Sequence, residues 1–152
     1  IASASAVRPA DTTTYAAGEQ VVSGNLVFEA ARVNGGSGII TQALLIDSTA
    51  ESTKPSIDLL LFDAPVTNAA DNAAAAVTDA EMEHIIGAIS FDGTGVASFK
   101  AAGANGVIPS GALNIPFVCG NGKNLYGILV VRNAYVPVSL EKFTVRLAIL
   151  QD

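Results

Sequence analysis

Lys142-Phe143-Thr144-Val145-Arg146-Leu147-Ala148-Ile149 alternates without a break: Phe143, Val145, Leu147 and Ile149 fall on one side of an extended chain, and Lys142, Thr144 and Arg146 on the other. Successive side chains of a strand point to opposite faces, so this run reads as a β-strand with one face on a core. Shorter runs precede it at Leu125 to Arg132, Leu113 to Cys119, Val96 to Ala101 and Ala88 to Phe91. Asp92-Gly93-Thr94-Gly95, Gly103-Ala104-Asn105-Gly106 and Gly120-Asn121-Gly122 separate them, turn signals at the spacing of a β-sandwich. Further back, Leu26, Phe28 and Ala30 alternate with Val27, Glu29 and Ala31 before the turn Asn34-Gly35-Gly36-Ser37-Gly38, and a second strand follows from Ile39 to Asp47. Ile57 to Phe62 is nearly all apolar between Pro55 and Pro65, which suits a strand buried on both faces or packed against a neighbouring subunit.

One helix interrupts this pattern. Thr78-Asp79-Ala80-Glu81 fits the capping box, in which Thr78 and Glu81 satisfy each other's orphan amides. Met82, Ile85 and Ile86 supply an apolar face and Gly87 suits the closing position, so the pattern predicts a helix over Asp79 to Ile86, plugging one end of the sandwich. Residues 66 to 77 are a low-complexity connection of Ala and Asn, and Ile1 to Thr14 reads as an extended N-terminal arm without apolar period. The expected protein is therefore all-β, a jelly-roll-like β-sandwich over residues 15–152 with one short helix and an arm over residues 1–14. The paired Cys and core Trp of an immunoglobulin-type sandwich are absent.

Composition narrows the function classes. At 152 residues the chain makes one domain, able to bury roughly 70% of its unfolded surface without staples. Charged residues are 14% of it, so apolar surface is left for another subunit to cover. Its net charge of −6 repels phosphate backbones, which makes nucleic acid and anionic membranes poor partners. No apolar run approaches the length needed to span a bilayer, and Ile1 to Ala6 has neither the basic region nor the apolar stretch of a signal peptide.

Groups able to do chemistry are few. His84 and Cys119 are the single histidine and cysteine, and they stand far apart in sequence. Cys119 lies in an apolar run and reads as a buried, inert thiol, and His84 as a helix-end histidine near carbonyl dipoles. Gly35-Gly36-Ser37-Gly38 lacks the Gly-Lys-Ser/Thr of a phosphate loop, and Ile39 stands where a nucleophile elbow needs its last glycine. Asp92-Gly93-Thr94-Gly95 lacks the alternating oxygen ligands and terminal Glu of a calcium loop. No catalytic residue, metal ligand or cofactor-binding residue is expected, and the chain does not read as an enzyme. A carbohydrate-binding module shares the architecture, but the aromatic platform available to it is thin: no Trp, and Tyr15, Tyr126 and Tyr135.

Arg8-Pro9-Ala10-Asp11-Thr12-Thr13 with Tyr15 and Ala17-Gly18, the run Asp71-Asn72-Ala73-Ala74 ahead of Thr78-Asp79-Ala80-Glu81, and the ending Phe143-Thr144-Val145-Arg146-Leu147 resemble a family of small structural proteins of tailed bacteriophages. The family is the capsid decoration, or cement, type. The resemblance implies a β-sandwich homotrimer on the outer surface of an icosahedral virion, made in the host bacterial cytoplasm, bridging capsomers by binding the major capsid protein, without a cofactor. A head-fibre, tail or receptor- or carbohydrate-binding module is the alternative. On this reading Arg8, Pro9, Asp11 and Tyr15 belong to a capsid-binding arm that adds a strand to a partner's sheet edge. Leu60, Phe62, Tyr126 and Ile128, from the two most apolar runs, are placed at the interface between subunits, with a deep two-sided core as the other explanation of those runs.

Overall fold

The structure is a computed structural model that describes residues 1–49, 53–94, 99–100, 106–120 and 122–151. Among the described residues are ten strands and one helical turn: β1 (Ala2–Val7), β2 (Glu19–Glu29), β3 (Ser37–Asp47), β4 (Ile57–Phe62), β5 (Ala73–Ala74), α1 (Asp79–Met82), β6 (Ile85–Phe91), β7 (Phe99–Lys100), β8 (Gly106–Val118), β9 (Asn124–Val131) and β10 (Lys142–Gln151). They form two antiparallel sheets, ordered β1-β10-β3-β8-β7 and β5-β2-β9-β4-β6. The fold is an all-β sandwich.

The core lies between the sheets and follows the two-residue period of the strands. Phe143, Val145 and Leu147 of β10 are buried, and so are Ile40, Ala43 and Leu45 of β3, which pairs with it. Ile57, Leu59 and Leu61 of β4 and Leu125, Leu129 and Val131 of β9 meet them from the other sheet. Two close approaches need glycine. A Cβ on Gly38 would stand 2.5 Å from the Leu150 carbonyl oxygen, and one on Gly127 would stand 2.7 Å from the Leu59 side chain.

Two expectations change. Residues 2–7 are not a free arm: they pair with Leu147 back to Lys142 as an edge strand, with Ala2, Ala4 and Ala6 turned to the core. Alanine alternating with serine carries the strand period with side chains too small to mark it. The helix is one turn long. The capping box at Thr78 and Glu81 is formed, but Ile85, Ile86 and Gly87 belong to β6, paired with Phe62 and Leu61 of β4. β-Branched isoleucines beside a buried strand edge gain more from the ladder than from a second helical turn. Of the run Val96 to Ala101, Phe99 and Lys100 are described and form the strand β7. Gly95, the turn residues 103–105 and Asn121 lie outside the described residues.

The Ala- and Asn-rich connection is also structured. Val66, Ala75 and Val77 pack over Phe62 and Ile128, making a second small core on the outer face of the β4–β9 pair. Asn25 pins this cover by exchanging two hydrogen bonds with the Val66 backbone, at 2.9 and 3.3 Å, and Glu81 accepts from the amide and hydroxyl of Thr67 at 2.6 and 2.7 Å. The two-sided apolar pattern of β4 is thus satisfied within the chain.

Candidate docking surface

Among the described residues, none forms such a cover over the outer face of the sheet β1-β10-β3-β8-β7. Cross-strand partners point to the same side, so the register reads out its rows. Phe99, Val107, Ile46, Thr144 and Ser5 form one row. Pro109, Leu44, Arg146 and Ser3 form the next, and Pro116, Ile39 and Leu150 a third nearer the other end. Ser5 and Thr144 confirm the common side, their hydroxyl oxygens being 2.8 Å apart. Six of the twelve exposed large apolar side chains among the described residues lie here: Ile1, Val7, Ile39, Phe99, Val118 and Leu150.

Strand residues explain this concentration. In β3, Leu44 and Ile46 face outward while Ala43, Leu45 and Asp47 face inward, so the strand is apolar on both sides. A central strand of this kind signals a second covered face. The charged side chains at described positions of the face are Lys142 and Arg146, both basic in a chain of net charge −6. A cleft of about 160 Å³ lined by Ile1, Gln42, Leu44, Arg146 and Ala148 lies on it.

The eight residues expected at contacts are distributed differently. Arg8 and Tyr15 are buried, with the Arg8 guanidinium over the Tyr15 ring and ion-paired to Asp71 at 3.0 Å. Asp71 also accepts from the Tyr15 hydroxyl and from the Val22 amide at 2.7 Å. Val22 has φ of +63°, a conformation unfavourable for a β-branched residue, and its amide bond to Asp71 helps hold it there. Burial, reinforced by the bond to Asp71, pushes the Tyr15 hydroxyl far above the usual phenol range. This pair is therefore an internal clamp and not a capsid-binding surface, whereas Pro9 is exposed and Asp11 keeps 44% of its side chain accessible. Asp11 pairs with Arg8 at 3.3 Å and caps the Thr13 amide at 3.0 Å.

Phe62 and Ile128 are buried under the chain's own connection and Leu60 packs against them, which removes these three from the expected interface between subunits. Tyr126 is half-buried and lines a cleft of about 200 Å³ with Asp63, Pro65, His84 and Gly120. There His84 Nδ1 lies 2.8 Å from Asp63 Oδ1, so the histidine is oriented by a carboxylate and not by helix carbonyls. Cys119 is buried; burial first, then the Asp63 charge, pushes its thiol upward, away from the reactive thiolate.

A second interior network was not anticipated. Asp47, Thr49, Lys54 and Glu141 are buried together at one end of the sandwich. Asp47 and Glu141 stand at the edges of apolar strand runs, Thr49 and Lys54 belong to the mostly polar stretch of sequence between β3 and β4, and their meeting depends on three separate strands. Among the described residues, no three His, Cys, Asp or Glu side chains converge to hold a metal ion, and no helix is long and apolar enough to cross a membrane. Compared with models of known protein families and with curated proteins, the sequence matches none.

Proposed function

We propose that this chain is a non-catalytic virion structural protein that decorates and cements the outer surface of a bacteriophage capsid, acting through the apolar outer face of the sheet β1-β10-β3-β8-β7. That face carries the reading. Its occupant is a second copy of the chain: a mildly basic, apolar face complements the acidic remainder of an identical subunit, and a heterologous contact of this kind closes into a ring such as a homotrimer. The trimer then bridges neighbouring copies of the major capsid protein and adds binding free energy to the assembled shell. No cofactor enters this mechanism.

The finer fold assignment belongs to the same proposal. The strand orders β1-β10-β3-β8 and β2-β9-β4-β6 support a jelly roll, because successive long strands alternate between the two sheets except at β4 and β6, which pair as a hairpin at the turning point of a doubled Greek key. The two-residue strands β5 and β7 are additions at the edges.

A receptor- or carbohydrate-binding module of a head fibre or tail is the second reading. The cleft of Tyr126, Asp63 and His84 favours it, since a ring face beside a carboxylate and an imidazole can hold a sugar. Copy number in purified virions, by quantitative mass spectrometry against the major capsid protein, separates the two. A ratio of about one, as threefold clusters over a whole shell would give, supports decoration. A few copies per particle support the fibre or tail module, and complete absence overturns both virion readings.

A further inference from the structure

Asp47, Lys54 and Glu141 present a reactive geometry. Asp47 ends β3 with its side chain inward, Lys54 stands just before β4, and Glu141 just before β10; their exposures are 0%, 2% and 1%. Lys54 Nζ lies 3.0 Å from Asp47 Oδ2, yet that oxygen accepts no hydrogen bond. The ammonium donates instead to the Thr49 carbonyl at 2.7 Å, and Thr49 Oγ1 donates to Asp47 Oδ1 at 2.9 Å. The site is shaped for the lysine. Gly106 faces Asp47 across the β3–β8 ladder, and a Cβ there would stand 2.6 Å from Lys54 Cε, so a larger residue would displace the lysine stem from its present path.

Glu141 completes the cluster. It accepts from the Tyr135 hydroxyl and from Val138 N at 3.3 Å, and the Thr49 hydroxyl stands between it and Asp47, 3.4 Å from Glu141 Oε1 and 2.9 Å from Asp47 Oδ1. Burial pushes its carboxyl up to about 7; the Tyr135 hydroxyl opposes this and the Asp47 charge reinforces it. A carboxyl held in that range exchanges its proton near neutral pH, as an acid–base group must.

We propose that Lys54 and Asp47 join in an intramolecular isopeptide bond that forms spontaneously on folding, with Glu141 as its acid–base group. Lys54 first passes one proton to the Asp47 carboxylate, leaving a neutral amine beside a neutral acid. The amine lone pair attacks Asp47 Cγ and the N–C bond forms. Glu141 protonates the departing Asp47 oxygen as the C–O bond breaks, and recovers a proton from the nitrogen. An ammonium and a carboxylate become one secondary amide and one water, Glu141 ends as it began, and no oxidant or cofactor is consumed. Two factors drive the step: fixed proximity of the reacting groups, and the loss of two charges from a buried site. The product ties β3 of one sheet to the start of β4 in the other. This inference does not depend on the docking face.

The test is the intact mass of the purified full-length protein, with fragmentation to locate any link. The expected mass is lower than the sequence mass by one water, with residues 47 and 54 joined in one fragment. Lys54→Arg keeps the charge but not the primary amine, and should show the full sequence mass. Glu141→Gln should show the full mass with an unchanged circular dichroism spectrum; a cross-linked Glu141→Gln would overturn the role of Glu141. Parent protein at its full sequence mass would overturn the bond itself. So would a water loss that persists in Lys54→Arg or maps to Asp92-Gly93, where dehydration to a succinimide gives the same mass.

Discussion

Arg8 and Asp71, 63 residues apart in sequence, meet in a buried ion pair at 3.0 Å that fastens the end of β1 to the connection covering the second sheet. Arg8→Ala leaves Asp71 and the Tyr15 hydroxyl without their cation, and removal of one partner from a buried pair costs about 3–5 kcal/mol. Urea unfolding of the variant should show a loss of that order. A loss under about 1 kcal/mol would mean the pair behaves as a surface salt bridge. By the same logic, deletion of residues 1–8 removes an edge strand and its clamp, and should unfold the protein instead of freeing an arm.

Gly38 lies against the Leu150 carbonyl on the neighbouring strand and against the Phe117 ring. Gly38→Ala forces β3 and β10 apart, at a cost of about 1–3 kcal/mol. Thermal unfolding and amide exchange localised to the β3–β10 ladder check this; unchanged protection at Leu150 would contradict it.

Phe143 is 1% exposed and faces Ala6 and Asp47 across its two ladders. Phe143→Ala should destabilise by about 3–5 kcal/mol, measured as a shift of the denaturation midpoint at constant slope. A substantially smaller loss would show that the site collapses around the cavity.

Glu81 receives the amides of Thr67 and Thr78 and both their hydroxyls, and these bonds, led by the Thr78 amide, hold its carboxyl down at about 2 from an ordinary 4.5. A depressed carboxylate binds fewer protons folded than unfolded, so its contribution is full above pH 4.5 and fades as the pH falls towards 2. Glutamine can still close the capping box. The stability difference between Glu81→Gln and the parent should therefore shrink across that window; a constant difference would show that the charge plays no part.

Ile39 and Leu150 are exposed cross-strand partners on the uncovered face. The double replacement Ile39→Thr with Leu150→Thr should leave monomer stability within about 1 kcal/mol and weaken self-association by about tenfold or more. Sedimentation equilibrium reads both states. Unaltered association would place the interface elsewhere.

The sequence by itself determined the fold class, the positions of most strands and the helix start. Those are local properties: the alternation of Phe143, Val145 and Leu147, the Gly-rich turns and the Thr78–Glu81 capping box are each written within a few consecutive residues. It also carried, in Ala2, Ala4 and Ala6, a strand too small-residued to be told from an arm. Only the tertiary structure decided which apolar strand faces are covered. Leu60, Phe62 and Ile128 looked free to meet a partner because the Val66 to Val77 cover crosses their sheet from a distant place in sequence, whereas Ile39, Leu44 and Leu150 are left open. The same long-range pairing brought Asp47, Lys54 and Glu141 together. Three single letters in separate segments acquire a shared chemistry only when sheet register sets their distances.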